Sequence, residues 1–250
     1  MLTLTQALPP GALIGAEDEA LAQALPATGA VWFRADAASA VVEGDKITGW
    51  LDSTATQRAV TTEPNTGASR HDASPPDAFL CETGTHCGFV VEKPLPDGRC
   101  FTAAVIYTSP RDEAKTLLSV STGQTNNLIF LSESDGRLTA KDRDSTVEVS
   151  LPVIPGDGRP RLAIFAFNGR ELRLSFNGST VSSSGRVPAM DPPAQLFIGC
   201  RSNRAGLAKT LGNSRLHDVL IWPNRALLAS SDPADVVALA CLHRYHLWAF

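Results

Sequence analysis

Two apolar runs in one stretch limit what this chain can become. Leu196, Phe197 and Ile198 end at Gly199, and Leu216 with Val219 to Trp222 ends at Pro223-Asn224. Both are short, carry β-branched and aromatic residues, and are bounded by turn formers, the pattern of strands rather than helices. Between them lies a polar, glycine-spaced loop with Arg201, Asn203, Arg204, Lys209, Asn213 and Arg215. The rest of the chain is expected to add strands around these two.

From Ala30 it does so repeatedly. Val31 to Phe33, Val41-Val42 and Ile47 to Leu51 are short apolar pieces, the last two split by Gly44-Asp45. Residues 51–76 are rich in Ser, Thr, Asn, Gly and Pro and are expected to be mostly loop. Further strands are predicted at Ala78 to Cys81, Gly88 to Val91, Cys100 to Tyr107, Thr116 to Val120, Asn127 to Leu131, Leu138 to Ala140 and Val147 to Leu151. Arg161 to Phe167 and Glu171 to Phe176 flank Asn168-Gly169-Arg170, a hairpin signal because Asn and Gly tolerate the positive φ of tight turns. Leu172, Leu174 and Phe176 alternate with polar residues, so one face of that strand is buried. Ten or more short strands with Gly and Asn turns predict an all-β, two-sheet antiparallel sandwich or jelly roll.

Helix is expected only at the two ends. Glu17, Asp18 and Glu19 open a short segment with Leu21 and Leu25 on one face, and Pro26 stops it. Free helices this short are marginal, so the segment folds back on its own domain or anchors the chain in an assembly. The division expected is an arm over 1–27 and one domain over 28–250. The closing helix has Ser231 or Asp232 as cap and Pro233 in its first turn. Val236, Val237, Leu239, Ala240 and Leu242 are its predicted apolar side, and Tyr245, Leu247, Trp248 and Phe250 an aromatic tail pinning the C-terminus to the sheet.

Several classes are disfavoured. The net charge is −4, whereas nucleic-acid binding wants a basic face. No apolar run approaches the ~20 residues that span a bilayer. No Lys or Arg precedes Arg34, so the basic start of a signal peptide is missing and folding in a cytoplasm is expected. The five cysteines form no C-x-x-C pair; they read as buried reduced thiols, with Cys81 and Cys87 the one pairing worth checking.

Four stretches carry a family likeness: VWFRADA (31–37), ITGWLDSTATQRAV (47–60), FNGRELRLSFNG (167–178), and the two opening runs with the closing helix (196–242). In this order they resemble the laminin-G-like, concanavalin A-like jelly-roll superfamily of bacterial and phage proteins. The resemblance implies two curved antiparallel sheets face to face and a frequent role in glycan binding. It also implies a setting on the spikes, fibres or decorations of phage or phage-like particles. The family's glycine-containing Asp-Gln-Ser-Gly-Asn-Gly loop is Asp52-Ser53-Thr54-Ala55-Thr56 here, and no compact carboxylate set resembles a calcium loop. No cofactor is expected, with calcium the one left open.

Catalytic signatures are missing too. Retaining glycosidases hold two carboxylates ~5–5.5 Å apart, and Glu148 has no acidic neighbour at strand spacing. Asp142-Arg143-Asp144 reads as solvated turn charge, and His243 and His246 lack further metal ligands. The expected function is a non-catalytic, lectin-like module that recognises a cell-surface polysaccharide. It would be oligomeric within its particle and contact other subunits through residues 1–27. A purely structural subunit and a polysaccharide-degrading enzyme with an unfamiliar site are the alternatives. Trp32, Trp222 and Trp248 lie in apolar runs and read as core, whereas Trp50 borders a polar loop. The candidate ligand-binding residues are Asn126 and Asn127 (beside Gln124), Arg201, Asn203 and Arg204 (with Asn213), and Trp50; His86 with Glu82 forms a third polar loop.

Overall fold

The computed structural model describes residues 17–67, 69–93, 95–109, 113–124, 126–154, 158–185, 190, 192–203 and 211–250. Among these are helix α1 (Glu17–Ala24) and strands β1 (Val31–Arg34), β2 (Ala40–Glu43), β3 (Lys46–Leu51), β4 (Arg58–Val60), β5 (Arg70–Asp72), β6 (Ala78–Cys81), β7 (Phe89–Val91) and β8 (Phe101–Thr108). There follow β9 (Lys115–Ser121), β10 (Leu128–Ser134), β11 (Arg137–Asp142), β12 (Glu148–Pro152), β13 (Arg161–Phe167), β14 (Glu171–Phe176), β15 (Ser179–Ser184), β16 (Gln195–Ile198), β17 (Ser214–Pro223) and helix α2 (Pro233–Ala249). Every named strand pairing is antiparallel.

The strands form two sheets, as a jelly-roll sandwich requires. Sheet A has eight strands in the order β15-β14-β13-β8-β17-β6-β5, with β1 also on β17; sheet B has nine, β12-β11-β10-β9-β16-β7-β4-β3-β2. The apolar runs 196–198 and 216–222 therefore part company. β16 sits inside sheet B between β9 and β7, and β17 is central in sheet A, so the polar loop between them crosses from one sheet to the other. Strands β4 and β5 occupy part of the segment expected to be loop, and the serine-rich β15 forms as an edge strand on β14.

The turns follow from residue chemistry. Asn168 Oδ1 accepts from the backbone N–H groups of Arg170 and Glu171, and Gly169 takes φ +86°. Asn177 and Gly178 both have positive φ, +48° and +79°, as a two-residue hairpin turn demands. Asp52 organises the loop that follows β3. Its buried carboxylate accepts from Thr54 Oγ1 at 2.6 Å and from the N–H groups of Thr56 and Gln57 at 2.7 Å each, holding Ala55 at φ +56°.

Three apolar clusters divide the molecule. The largest lies between the sheets, with Trp50, Phe79, Phe89, Phe101, Phe165 and Phe167. A second covers the outer face of sheet A, where Trp32, Ala104, Ile106, Ile164, Leu220 and Trp222 meet the two helices. A third, Val90, Phe197, Cys200 and Leu211, lies on the outer face of sheet B. Leu21 and Leu25 are buried in the second cluster, and Trp222 Nε1 donates to Thr28 Oγ1 at 2.9 Å. Two buried leucines contribute on the order of 3–6 kcal/mol, so residues 17–27 are part of the domain layer and no break in packing occurs at residue 27. The remainder of the expected arm, 1–16, lies outside the described residues.

Asp232 caps α2, accepting from Ala234 N–H at 2.8 Å. The buried face of α2 is Asp235, Ala238, Leu242 and Tyr245; of the predicted apolar side Leu242 is buried and Leu239 packs against the cluster, whereas Val236 and Val237 point outward. Of the aromatic tail, Tyr245 reaches the sheet, while Leu247 and Trp248 are exposed. All five cysteines are free thiols, and Cys81, Cys87 and Cys200 are buried. Among the described residues no helix is long and apolar enough to cross a membrane.

One polar contact bridges the sheets through the core. Glu133 on β10 is fully buried; Arg161 Nη1 on β13 lies 3.1 Å from its Oε2, and Tyr107 on β8 donates its hydroxyl to the same oxygen. Arg161 Nη2 also donates to Ile154 O at 2.9 Å. Removing one partner strands a buried charge. Glu133→Gln or Arg161→Met should therefore each lose about 3–5 kcal/mol, and joint replacement by Leu and Met should lose less than either. Urea unfolding checks this; single losses below about 1 kcal/mol would contradict it.

Candidate functional site

Both faces of sheet A are occupied, one by sheet B and the other by the helices. The outer face of sheet B is different. One cross-strand row on it runs Phe130, Ser119, Phe197, Val90 and Val60, and the next runs Leu128, Ser121 and Gln195. At β16 the alternation explains this: Leu196 and Ile198 enter the core, so Phe197 must face out.

A groove of about 340 Å³ lies on this face, within the ~300–1,000 Å³ of small-molecule sites. Leu128, Gln195 and Phe197 line it from the sheet. One wall is the β9–β10 turn, with Ser121, Gln124 and Asn126; the other is Arg201 to Asn203, and Arg143 adds a guanidinium from the β11–β12 turn. The β9–β10 turn closes through Asn127 N–H to Gln124 O and Thr122 N–H to Asn127 O, with Gly123 and Asn126 at positive φ. The second wall is fastened from a distant loop: Thr62 Oγ1 donates to Asn203 Oδ1 at 2.6 Å, and Asn65 Nδ2 to Ser202 O at 3.2 Å.

Arg201 is the most constrained of these side chains. Its guanidinium carbon sits 3.8 Å from the centroid of the Phe130 ring, and its Nε donates to Thr116 Oγ1 at 3.1 Å. Ring and hydroxyl together fix the guanidinium plane. Burial lowers its pKa from the ordinary arginine value, which marks a cation partly stripped of water.

The structure thus brings together Gln124, Asn126, Arg201 and Asn203 from the two loops singled out in sequence. Asn127 is not among them; it is buried within its turn. Trp50 is excluded. It is 0% exposed in the central core, its Nε1 donates to Arg34 O at 2.8 Å, and its ring meets Phe33, Phe79 and Phe89. The exposed tryptophan is Trp248, at 66%, near the end of α2, where it lines a cleft together with Tyr245. Arg204 and Lys209 lie outside the described residues. The Glu82–His86 loop is elsewhere, tied to Asn213 through Thr83 N–H. His246 bonds Pro160 O, and among the described residues no three metal-ligating side chains cluster. Sequence reasoning missed Arg143, Gln195 and Phe197. Strict alternation along β16 points Phe197 and Gln195 to the outer face; nothing in the sequence links Arg143 to them.

No family model and no curated protein matches the chain. Solved structures do. The receptor-binding domain of botulinum neurotoxin type G aligns with TM-score 0.53 and 10% identity over 86% of this chain and 51% of that one. The binding domain of botulinum neurotoxin DC in complex with SialylT gives 0.51 and 10%, over 79% and 51%. Trypanosoma rangeli sialidase gives 0.53 and 12%, over 86% and 32%. The chain spans about half of the toxin domains it matches and about a third of the sialidase. At such identities the likeness establishes the sandwich fold.

A second cleft, also about 340 Å³, lies between α2, the start of α1 and β17. Its polar groups largely satisfy one another. Tyr245 donates its hydroxyl to Asp218 Oδ2 at 2.7 Å; Glu17 pairs with Arg244 at 3.1 Å. The His217 ring nitrogens contact Asp77 O at 2.8 Å and Thr108 Oγ1 at 2.9 Å. A backbone carbonyl only accepts, so Nδ1 carries the proton and Nε2 accepts from the threonine.

Burial pushes the Asp218 carboxyl up to about 7 and His217 down to about 4, from ordinary values of 3.8 and 6.5. Asp218 keeps its proton in the fold while the unfolded chain releases it, so this group costs stability as pH rises from about 4 to about 7. His217 acts oppositely: the unfolded chain binds a proton below about 6.5 and the fold resists, so stability is lost as pH falls towards 4. Asp218→Asn should gain on the parent by up to about 4 kcal/mol across that rise, and His217→Gln should gain on it as pH falls. Urea midpoints between pH 4 and 7.5 measure both; parallel profiles for all three proteins would contradict the assignment.

Proposed function

We propose that this chain is a non-catalytic glycan-binding module whose site is the groove on sheet B. The observation that carries the reading is convergence. Two loops far apart in sequence meet across β9 and β16, surrounding an apolar floor with amides and an oriented guanidinium. Sugars present that combination of hydroxyls and apolar C–H faces, and such sites pair an apolar wall with a few placed polar groups. The fold supports it: in the matched toxins the sandwich aligns with about half of a binding domain, one of them in complex with SialylT. The described lining of the groove contains no Asp or Glu, which favours binding over hydrolysis by a carboxylate pair, the sialidase likeness notwithstanding.

The setting is part of the proposal and rests on the laminin-G-like resemblance. We assign the module to a spike, fibre or decoration of a phage or phage-like particle, with contacts to other subunits through the N-terminal segment. Affinity electrophoresis against bacterial surface polysaccharides tests the binding claim. Retardation without shortening of the polymer is expected, and Arg143→Ala or Gln195→Ala should each weaken it roughly 10-fold, the worth of about one hydrogen bond. A folded protein retarded by no polymer would contradict the reading.

A further inference from the structure

We propose that the sugar recognised in this groove is anionic, carrying a carboxylate that lies against Arg201 and Arg143. The inference rests on the glycan-binding reading and narrows it to a substrate class.

The charge pattern is local. The chain as a whole is net negative at −4, yet the groove lining holds Arg143 and Arg201 and, among the described residues, no carboxylate. Several other arginines withdrawn from solvent face acids: Arg161 meets Glu133, Arg173 meets Glu171, Arg215 meets Asp72 and Arg225 meets Asp235; Arg58, outside the groove, is an exception. Arg201 and Arg143 have no such ion pair among the described residues. A guanidinium partly withdrawn from water without a counter-charge is costly. Here it is nevertheless held in place, stacked on Phe130 and anchored through Nε to Thr116. That anchoring leaves the Nη edge as the donor edge of a fixed fork, whose geometry matches a carboxylate. Arg143 is exposed on another side of the groove, where it adds a second positive charge without blocking entry. The amides of Gln124 and Gln195 line the same groove, where they can meet sugar hydroxyls.

The test compares one polymer in two charge states. Polygalacturonate and polysialic acid are each measured against the full chain beside their carboxyl-reduced forms, with dextran sulfate as a control for bulk charge. The acidic forms should bind at least 10-fold more tightly than the reduced ones. Arg201→Lys, which keeps the stem and the charge but loses the fork, should remove most of that preference, as should Arg143→Ala at an exposed position. Thermal unfolding verifies that both variants are folded. Equal binding of acidic and reduced polymers would overturn this inference and leave the glycan-binding reading standing. Tight binding of dextran sulfate unaffected by either substitution would overturn it by showing charge attraction away from the groove. Binding of no glycan, acidic or neutral, would remove both.

Discussion

Strand β17 has to be covered on both faces, and much of the architecture follows. Leu216, Val219 and Ile221 point into the inter-sheet core, while Leu220 and Trp222 point the other way. A central strand with two apolar faces needs a layer on each side. Sheet B supplies one. On the other, the N-terminal helix and the closing helix lie together over Leu220 and Trp222, with Leu21, Ala238 and Leu242 filling the space. Sheet A is therefore covered on both faces, whereas the outer face of sheet B carries the groove.

That surface is held rigid by contacts remote from it. The Glu133–Arg161–Tyr107 contact ties sheet B to sheet A beneath β10, the strand that presents Phe130 outward. Thr62 and Asn65 hold the backbone and side chains of residues 202–203 from across the sheet. On the binding proposed for the groove, a guanidinium already held by Phe130 and Thr116 would lose little freedom, so more of its interaction energy would appear as affinity.

Local features were legible in the sequence. The Asn168-Gly169 and Asn177-Gly178 turns, the Asp232-Pro233 start of the last helix and most strands follow from turn chemistry and alternation. What the sequence hides is non-local. Leu196–Ile198 and Leu216–Trp222 read as companions but lie in different sheets, because β16 pairs with β9 and β7 and β17 with β8, β6 and β1. Trp50 borders a polar loop, yet β3 points it into the core; Trp248 sits in an apolar run, yet the turn of the helix carries it outward. The groove shares this character. Its loops were visible as polar segments, but their meeting depends on the β9–β16 register, and Arg143 joins them only through the packing of the β11–β12 turn.

Ligand recognition on the outer face of sheet B is tested by backbone amide NMR of the labelled chain, titrated with an acidic oligosaccharide such as oligogalacturonate or oligosialic acid. Shifts confined to residues 121–128, 143 and 195–203, with Asp218, Tyr245 and Trp248 unmoved, are the predicted result. Shifts gathered around Trp248 and the α2 cleft, with the Phe197 and Ser202 amides silent, would contradict the account.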